Sequence, residues 1–414
     1  MLTFIYGEEE LIISKKSIIL ILISVLITNT VGLGTITYFA KYLVYLDTKR
    51  ALIQLIVSII PLTAFIFPLL FGFISDKIQN RSLFLIFGTI GLSFSSLMLL
   101  STQNLIVIIM LLFLFGASMA STNLSLALYV ELVEDDQKLI SYFNAVTVAG
   151  WFLGSQFGGI FIDVYGIDKI FLFGLLVSLP NIIIVVFIKE HRSLILERYN
   201  SEVDLNKNGL NTSILEEEGL ISFSIYPSLF LRNFSIKSIL PILVIIMGFY
   251  ISGVTEIGFL MGVNFLFQFF QMLLMGKVIK NTNIKSFIII GYLLSAISVF
   301  GYIISTNFWS FLFFQLLVSF SYSMHWSAIL QYIAQNTTPE NKARYMSYVN
   351  ASVFSGSFVG GLFFALLLFF NPDYYVAMYF LIIFPVISTF IILFKFKSNE
   401  KIIRNSKKDI NSEL

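Results

Sequence analysis

The chain has 414 residues, of which 57% are hydrophobic and only 12% charged, about half the charge density of a soluble globular protein. Its mean hydropathy of +0.89 makes lipid the solvent for most of its length. A net charge of +2 suggests no nucleic-acid partner, and the lack of cysteine excludes disulfides and thiolate metal sites.

The first residues, Met1–Ser17, place Glu8, Glu9 and Glu10 ahead of Lys15 and Lys16, unlike the basic, short-cored pattern of a cleaved signal. Ile18–Val44 is long enough to remain as a span. A bilayer crossing takes about 20 apolar residues. On that rule twelve helical spans are expected, at 18–44, 51–72, 83–101, 105–130, 139–162, 167–188, 222–247, 255–276, 286–305, 308–334, 343–370 and 374–395. The one long polar interior stretch follows the sixth span and carries Glu190, Arg192, Glu197, Arg198, Glu202, Asp204, Lys207 and Glu216–Glu218. It reads as a solvated linker, 190–221, between an N-terminal half, 1–189, and a C-terminal half, 222–396, with a tail at 397–414.

Basic residues set the orientation. One side of the membrane receives Lys15, Lys16, Lys77, Arg81, Lys138, the linker cations, Lys277, Lys280, Lys285, Lys342, Arg344 and the C-terminal lysines. The other receives only Lys41, Lys49, Arg50 and Lys169. Both termini, the linker and the turn after the second span are therefore expected in the cytoplasm, with the protein in the plasma membrane. The halves also repeat. At an offset of 204, Asn29 meets Asn233, Gly72 meets Gly276, Arg81 meets Lys285, Ser82 meets Ser286 and Lys138 meets Lys342; at 202, Gly154-Ser155-x-x-Gly158-Gly159 meets Gly356-Ser357-x-x-Gly360-Gly361.

The stretch Gly72–Arg81 is a short charged hinge between two apolar spans. A charge at the centre of a spanning helix costs roughly 2.5–3.5 kcal/mol, so the chain is expected to leave the membrane at Asp76, Lys77 and Arg81 and turn straight back. Gly72, Asp76, Lys77 and Arg81, lying between the second and third spans, resemble the cytoplasmic loop signature of the major facilitator superfamily. Gln79 and Asn80 stand where that family has a glycine and a basic residue. The resemblance implies a twelve-helix fold of two pseudo-symmetric six-helix bundles, with the solute site between the halves. It also implies that Asp76 latches the cytoplasmic ends in one state, and that this loop, Gly72, Asp76, Lys77 and Arg81, gates that side. The plainer reading of Asp76 is a loop acid paired with Lys77 or Arg81.

In the fifth span, Gly150, Gly154, Gly158 and Gly159 line one helical stripe. Such stripes let backbones touch, the usual basis of helix association in lipid. The stripe also resembles the antiporter motif of the superfamily's exporters, with Ser155 in place of the motif's proline. In the fourth span, Leu112 occupies the place of the arginine that proton-coupled members carry, which puts coupling through that device in doubt.

The seventh span holds Arg232, Asn233 and Lys237. Asn233 and Lys237 share a face, and Arg232 lies about 100° round the helix. If the span starts near Ser222, Arg232 is close to mid-membrane; if it starts near Asn233, Arg232 snorkels at the edge. The tenth span carries Tyr322, His325 and Trp326. A lone histidine is often a satisfied core residue, although its ordinary pKa suits proton transfer. Trp326 either packs or stacks on a solute ring. Gln268, Gln271, Asn144 and Asn350 would as readily join helices as touch a ligand. In the superfamily the first, fourth, seventh and tenth spans line the cavity. The resemblance therefore points to Asn29, Asn123, Arg232, Asn233, Lys237, Tyr322, His325 and Trp326 as solute contacts.

Together these features predict a monomeric secondary transporter working by alternating access, with no cofactor and no metal. Its partners are the lipid bilayer, a small solute and, left open, a proton or other coupling ion. Export of a drug-like or sugar-like solute follows from the fifth-span stripe; exchange or uptake of an organic anion follows from Arg232 and Lys237. A membrane enzyme would need carboxylates or histidines clustered at one depth, and the sequence has none. A transporter-like sensor without flux would be expected to carry an extra soluble domain.

Overall fold

A computed structural model describes residues 8–78, 80–133, 137–189, 221–337 and 339–396. The described residues form fifteen α-helices. They are α1 (Glu8–Tyr45), α2 (Arg50–Val57), α3 (Ile59–Ile78), α4 (Arg81–Ser101), α5 (Leu105–Thr122), α6 (Leu124–Val133), α7 (Gln137–Tyr165), α8 (Ile170–Val186), α9 (Ile225–Met247), α10 (Val254–Val278), α11 (Ile284–Ile304), α12 (Phe308–Asn336), α13 (Pro339–Phe370), α14 (Tyr374–Leu381) and α15 (Ile383–Lys395). The linker residues 190–220 and the tail 397–414 lie outside the described residues.

Eleven spans among the described residues are long and apolar enough to cross a membrane. The expected tenth span is also a single helix, α12, of 29 residues or about 43 Å. It stands apart because Gln315, Ser319, Ser321, Ser323 and His325 lower its apolar content. Two expected spans are broken where proline withholds an N–H from the residue four places earlier. Pro61 cannot bond the Val57 carbonyl, and α2 ends at Val57; Pro385 cannot bond the Leu381 carbonyl, and α14 ends at Leu381. The fourth span is interrupted at Asn123, between α5 and α6.

Helix starts follow local capping. The Asn104 side chain accepts from the N–H groups of Ile106 and Val107, Asn307 forms a capping box with Ser310, and Asp373 accepts from Tyr375.

The chain divides into two compact units. One comprises the described residues within Met1–Lys49, Ile59–Ile214 and Ile251–Leu266; the other comprises those within Arg50–Ser58, Leu215–Tyr250 and Phe267–Leu414. Each unit thus takes in a short segment from the other half of the sequence. In the first, α1 packs on α7 and α8, and α4 on α5 and α8. Its core includes Ile21, Leu85, Leu128, Tyr129 and Val185. In the second, α9 packs on α13 and α15, α11 on α12, and α2 on α13. Ile225, Leu229, Ile288, Tyr292 and Ile329 form its core. Phe73, Phe369, Phe370 and Phe394 are each more than 70% exposed, as suits side chains whose solvent is lipid.

Candidate functional site

In the second unit a polar spine joins α9, α11 and α12. Arg232 is the eighth of the 23 residues of α9 and only 1% exposed. The helix begins at Ile225, so Arg232 lies about 10 Å inside it rather than at its edge. Its Nε donates to Ser295 Oγ at 3.0 Å, its Nη1 donates to Asn233 Oδ1 at 3.2 Å, and the guanidinium lies 5.6 Å from the Tyr322 ring centroid. All of these partners are formally neutral. Ser295 Oγ in turn lies 2.6 Å from Ser321 Oγ, and Asn233 Nδ2 donates to the Leu229 carbonyl.

His325 extends this spine. It is fully buried, and its Nδ1 lies 2.7 Å from the Ser321 carbonyl, which can only accept. That bond places the proton on Nδ1 and leaves Nε2 as a bare acceptor. Nε2 has no partner among the described residues. The ring packs against Tyr292 and Tyr322, at centroid distances of 5.2 and 5.4 Å. Gly291 makes room for it: a Cβ there would meet His325 Cβ at 2.8 Å. Tyr322 and Trp326 stack at 5.5 Å with 24° between planes, and both are half-buried. Lys237 is half-buried as well, and its Nζ has no hydrogen-bond or ion-pair partner among the described residues. Thus Arg232, Asn233, Tyr322, His325 and Trp326 are brought together, with Lys237 within electrostatic reach of Arg232 and His325. Gln271 Oε1 accepts from Ser319 and Ser323, so this glutamine joins α10 to α12. Asn144 and Asn350 are exposed.

The first unit treats its candidates differently. Asn29 is half-buried; its Oδ1 accepts the indole N–H of Trp151 at 2.7 Å, and its Nδ2 donates to the Val25 carbonyl. Asn123 is exposed at the α5–α6 junction. The stripe Gly150, Gly154, Gly158 and Gly159 is a packing seam. A Cβ on Gly154 would meet the Thr30 carbonyl oxygen at 2.5 Å, one on Gly158 the Gly34 carbonyl oxygen at 2.7 Å, and one on Gly159 the Tyr38 hydroxyl at 2.6 Å. The second unit repeats this seam, with Gly356 against the Phe230 carbonyl and Gly360 against the Phe234 carbonyl. Close backbone approach accounts for every glycine of the stripe.

The Gly72–Arg81 hinge is corrected in shape. Helix α3 runs through Gly72, Asp76 and Lys77 to Ile78, and Asn80 caps α4 by accepting from Leu83 N–H. The helix therefore extends past the expected end of the span at residue 72, because nothing before Ile78 breaks it. The charges do not mark where the helix stops. The Asp76 side chain lies outside the described residues. Arg81 pairs with Glu131 at 2.5 Å, both partly exposed. Gly72 and its repeat Gly276 face open space.

Several residues of the site are not singled out by sequence reasoning. Ser295, Ser321 and Tyr292 are ordinary span residues until α11 and α12 are brought together. Trp151 does carry a signal: an indole N–H in mid-span needs an acceptor, and Asn29 supplies it.

The sequence matches the Major Facilitator Superfamily over residues 17–216 and 225–411. The chain belongs to that superfamily. It is a multi-pass membrane transporter and not an enzyme. Its fold is similar to the crystal structure of the nucleoside transporter NupG, with a TM-score of 0.74 at 12% identity, covering 92% of this chain and 99% of that one. It is also similar to a POT family transporter in complex with 5-aminolevulinic acid, with a TM-score of 0.72 at 12% identity and coverage of 91% and 95%. No curated protein matches the sequence.

Proposed function

We propose that this superfamily member is a secondary active transporter that carries a small solute by alternating access, using residues of α9 and α12 as part of its solute site. The observation that supports this most is the duplicated seam. In the N-terminal half the fifth-span stripe packs on α1; in the C-terminal half the corresponding stripe of α13 packs on α9. Two copies of one helix-pair design are what rocking of one half against the other requires. The distribution of basic residues supports cytoplasmic termini, and the membrane proposed is the plasma membrane.

Export of a drug-like or sugar-like solute is the direction suggested by the resemblance of Gly150–Gly159 to the exporter motif. The test is flux through the purified protein in vesicles, loaded or bathed with solute, with and without an imposed pH gradient. Solute movement above that of empty vesicles is expected. A gradient that drives solute outward supports proton exchange, and an unaltered rate removes the proton as coupling ion. Flux no greater than in empty vesicles for every solute overturns the transporter reading.

A further inference from the structure

We propose that Lys237 is the docking group for an anionic solute, a carboxylate or a phosphate monoester, with Arg232, five residues earlier on α9, as a second, permanent positive charge. This rests on the transport reading and names the class of its solute. The carrying observation is where charge stands along the helices. Every acid in a described α-helix lies within the three residues at one end: Glu8–Glu10 in α1, Asp76 in α3, Glu131 in α6, Asp163 in α7, Glu256 in α10 and Glu340 in α13. Arg232 and Lys237 are the eighth and thirteenth of the 23 residues of α9. They are the only formal charges set deep within a span among the described residues.

Lys237 is one residue past the helix midpoint, about 18 Å from the start of α9 and about 15 Å from its end. Its four-methylene stem cannot reach water by snorkelling over either distance. Helix α9 is also the most enclosed of the spans. An intramembrane cation is tolerated where it meets an opposite charge or a water-filled cavity. Arg232 directs its Nε to Ser295 and its Nη1 to Asn233 and lies over the Tyr322 ring, and none of these partners neutralises it. Lys237 has no such partner among the described residues, and it is the more accessible of the two.

The backbone adds a second mark at the same position. Pro241 has no N–H to give the Lys237 carbonyl, so α9, though unbroken, lacks one ladder bond at the residue that carries the ammonium and leaves that carbonyl oxygen without its usual donor. An oxyanion bound at Lys237 would offset the repulsion between the two cations. A neutral solute would leave that repulsion in place.

The test uses the reconstituted full chain. Vesicles are offered a small-molecule cell extract supplemented with matched pairs, benzoate with benzamide and glycerol 3-phosphate with glycerol. Contents are read by mass spectrometry. The wild type is expected to favour anions over neutral partners about tenfold or more, the size of one charge-assisted hydrogen bond. Lys237→Gln should lose that preference and Lys237→Arg should keep it. Preference for benzoate or for glycerol 3-phosphate assigns the carboxylate or the phosphate. If neutral solutes cross as well as anions in the wild type, the anion site is wrong and the transporter stands. The same conclusion follows if Lys237→Gln retains the preference. If nothing crosses above empty vesicles, the transport reading itself falls. Should Lys237→Gln fail to fold, Lys237→Met, an apolar replacement of similar length, takes its place and must lose the preference in the same way.

Discussion

Asp163 caps a helix that begins far along the chain: its carboxylate oxygens accept from the backbone N–H groups of Val254 at 2.9 Å and Thr255 at 2.7 Å. These are first-turn donors of α10, which have no partner within their own helix. An anion at a helix N-terminus is further favoured by the helix dipole. Gly159, one turn earlier on α7, lets the strut come close, since a Cβ there would meet the Val254 carbonyl oxygen at 2.7 Å. Replacing Asp163 with alanine should destabilise the protein by about 1–2 kcal/mol, the usual cost of a lost cap. Asn should recover part of that, because it still accepts but carries no charge. Thermal unfolding in one detergent, compared across the three proteins, checks the ranking; an alanine variant as stable as wild type would contradict it.

The glycine seams should respond as a matched pair. Gly154→Ala drives a methyl into the Thr30 carbonyl, and Gly356→Ala drives one into the Phe230 carbonyl. Both obstacles are backbone, which cannot swing aside. Each substitution should cost about 1–3 kcal/mol, as overpacking does elsewhere. Gly72→Ala, facing open space inside α3, should be neutral or stabilise by up to about 1 kcal/mol. Melting temperatures of the three variants separate seam from surface. Equal effects at Gly154 and Gly72 would show that the stripe is not a packing contact.

Much of this arrangement is legible in the order of residues. Arg232 and Lys237 stand out because charge is so scarce inside the spans, whereas the breaks near Pro61 and Pro385 do not, since Pro68, Pro180 and Pro241 lie inside unbroken helices. The seam is legible too, since small residues at a spacing of four have few other uses in lipid. The hinge at Gly72–Arg81 departs from its expected shape because helix ends depend on caps such as Asn80 and not on charge density. Among the companions of Arg232, Asn233 and Tyr322 are legible, but the serines beside it are not. Ser295 and Ser321 resemble every other serine in a span until two helices meet, and the acceptor role of His325 depends on a carbonyl one turn away.

The Arg81–Glu131 pair joins the start of α4 to the end of α6. Both side chains are partly exposed, at 21% and 29%, so solvent weakens their attraction. Breaking it with Glu131→Gln should cost at most about 1 kcal/mol. Exchanging the charges, Arg81→Glu with Glu131→Arg, should recover part of what either single change loses. A double-mutant cycle by thermal unfolding gives the coupling directly. No coupling would mean that the pair is a surface coincidence.

Arg232 offers the sharpest contrast between what stabilises the fold and what serves transport. Arg232→Lys keeps the charge but gives up the planar fork that reaches Ser295 and Asn233 together. Arg232→Met removes the charge and leaves Asn233 Oδ1 without its donor. The orphaned oxygen costs about 1–3 kcal/mol. An enclosed ammonium with no acid beside it costs several kcal/mol, which exceeds that. The methionine variant should therefore unfold at a higher temperature than the lysine variant, by about 1–2 kcal/mol in stability, when no solute is present. In transport the order should reverse: the lysine variant retains some flux of an anionic solute and the methionine variant loses it. Measuring both quantities on the same preparations decides the matter. If methionine is worse in both, Arg232 is a structural residue and its charge has no separate use; if lysine and methionine transport equally, the solute does not sense the charge.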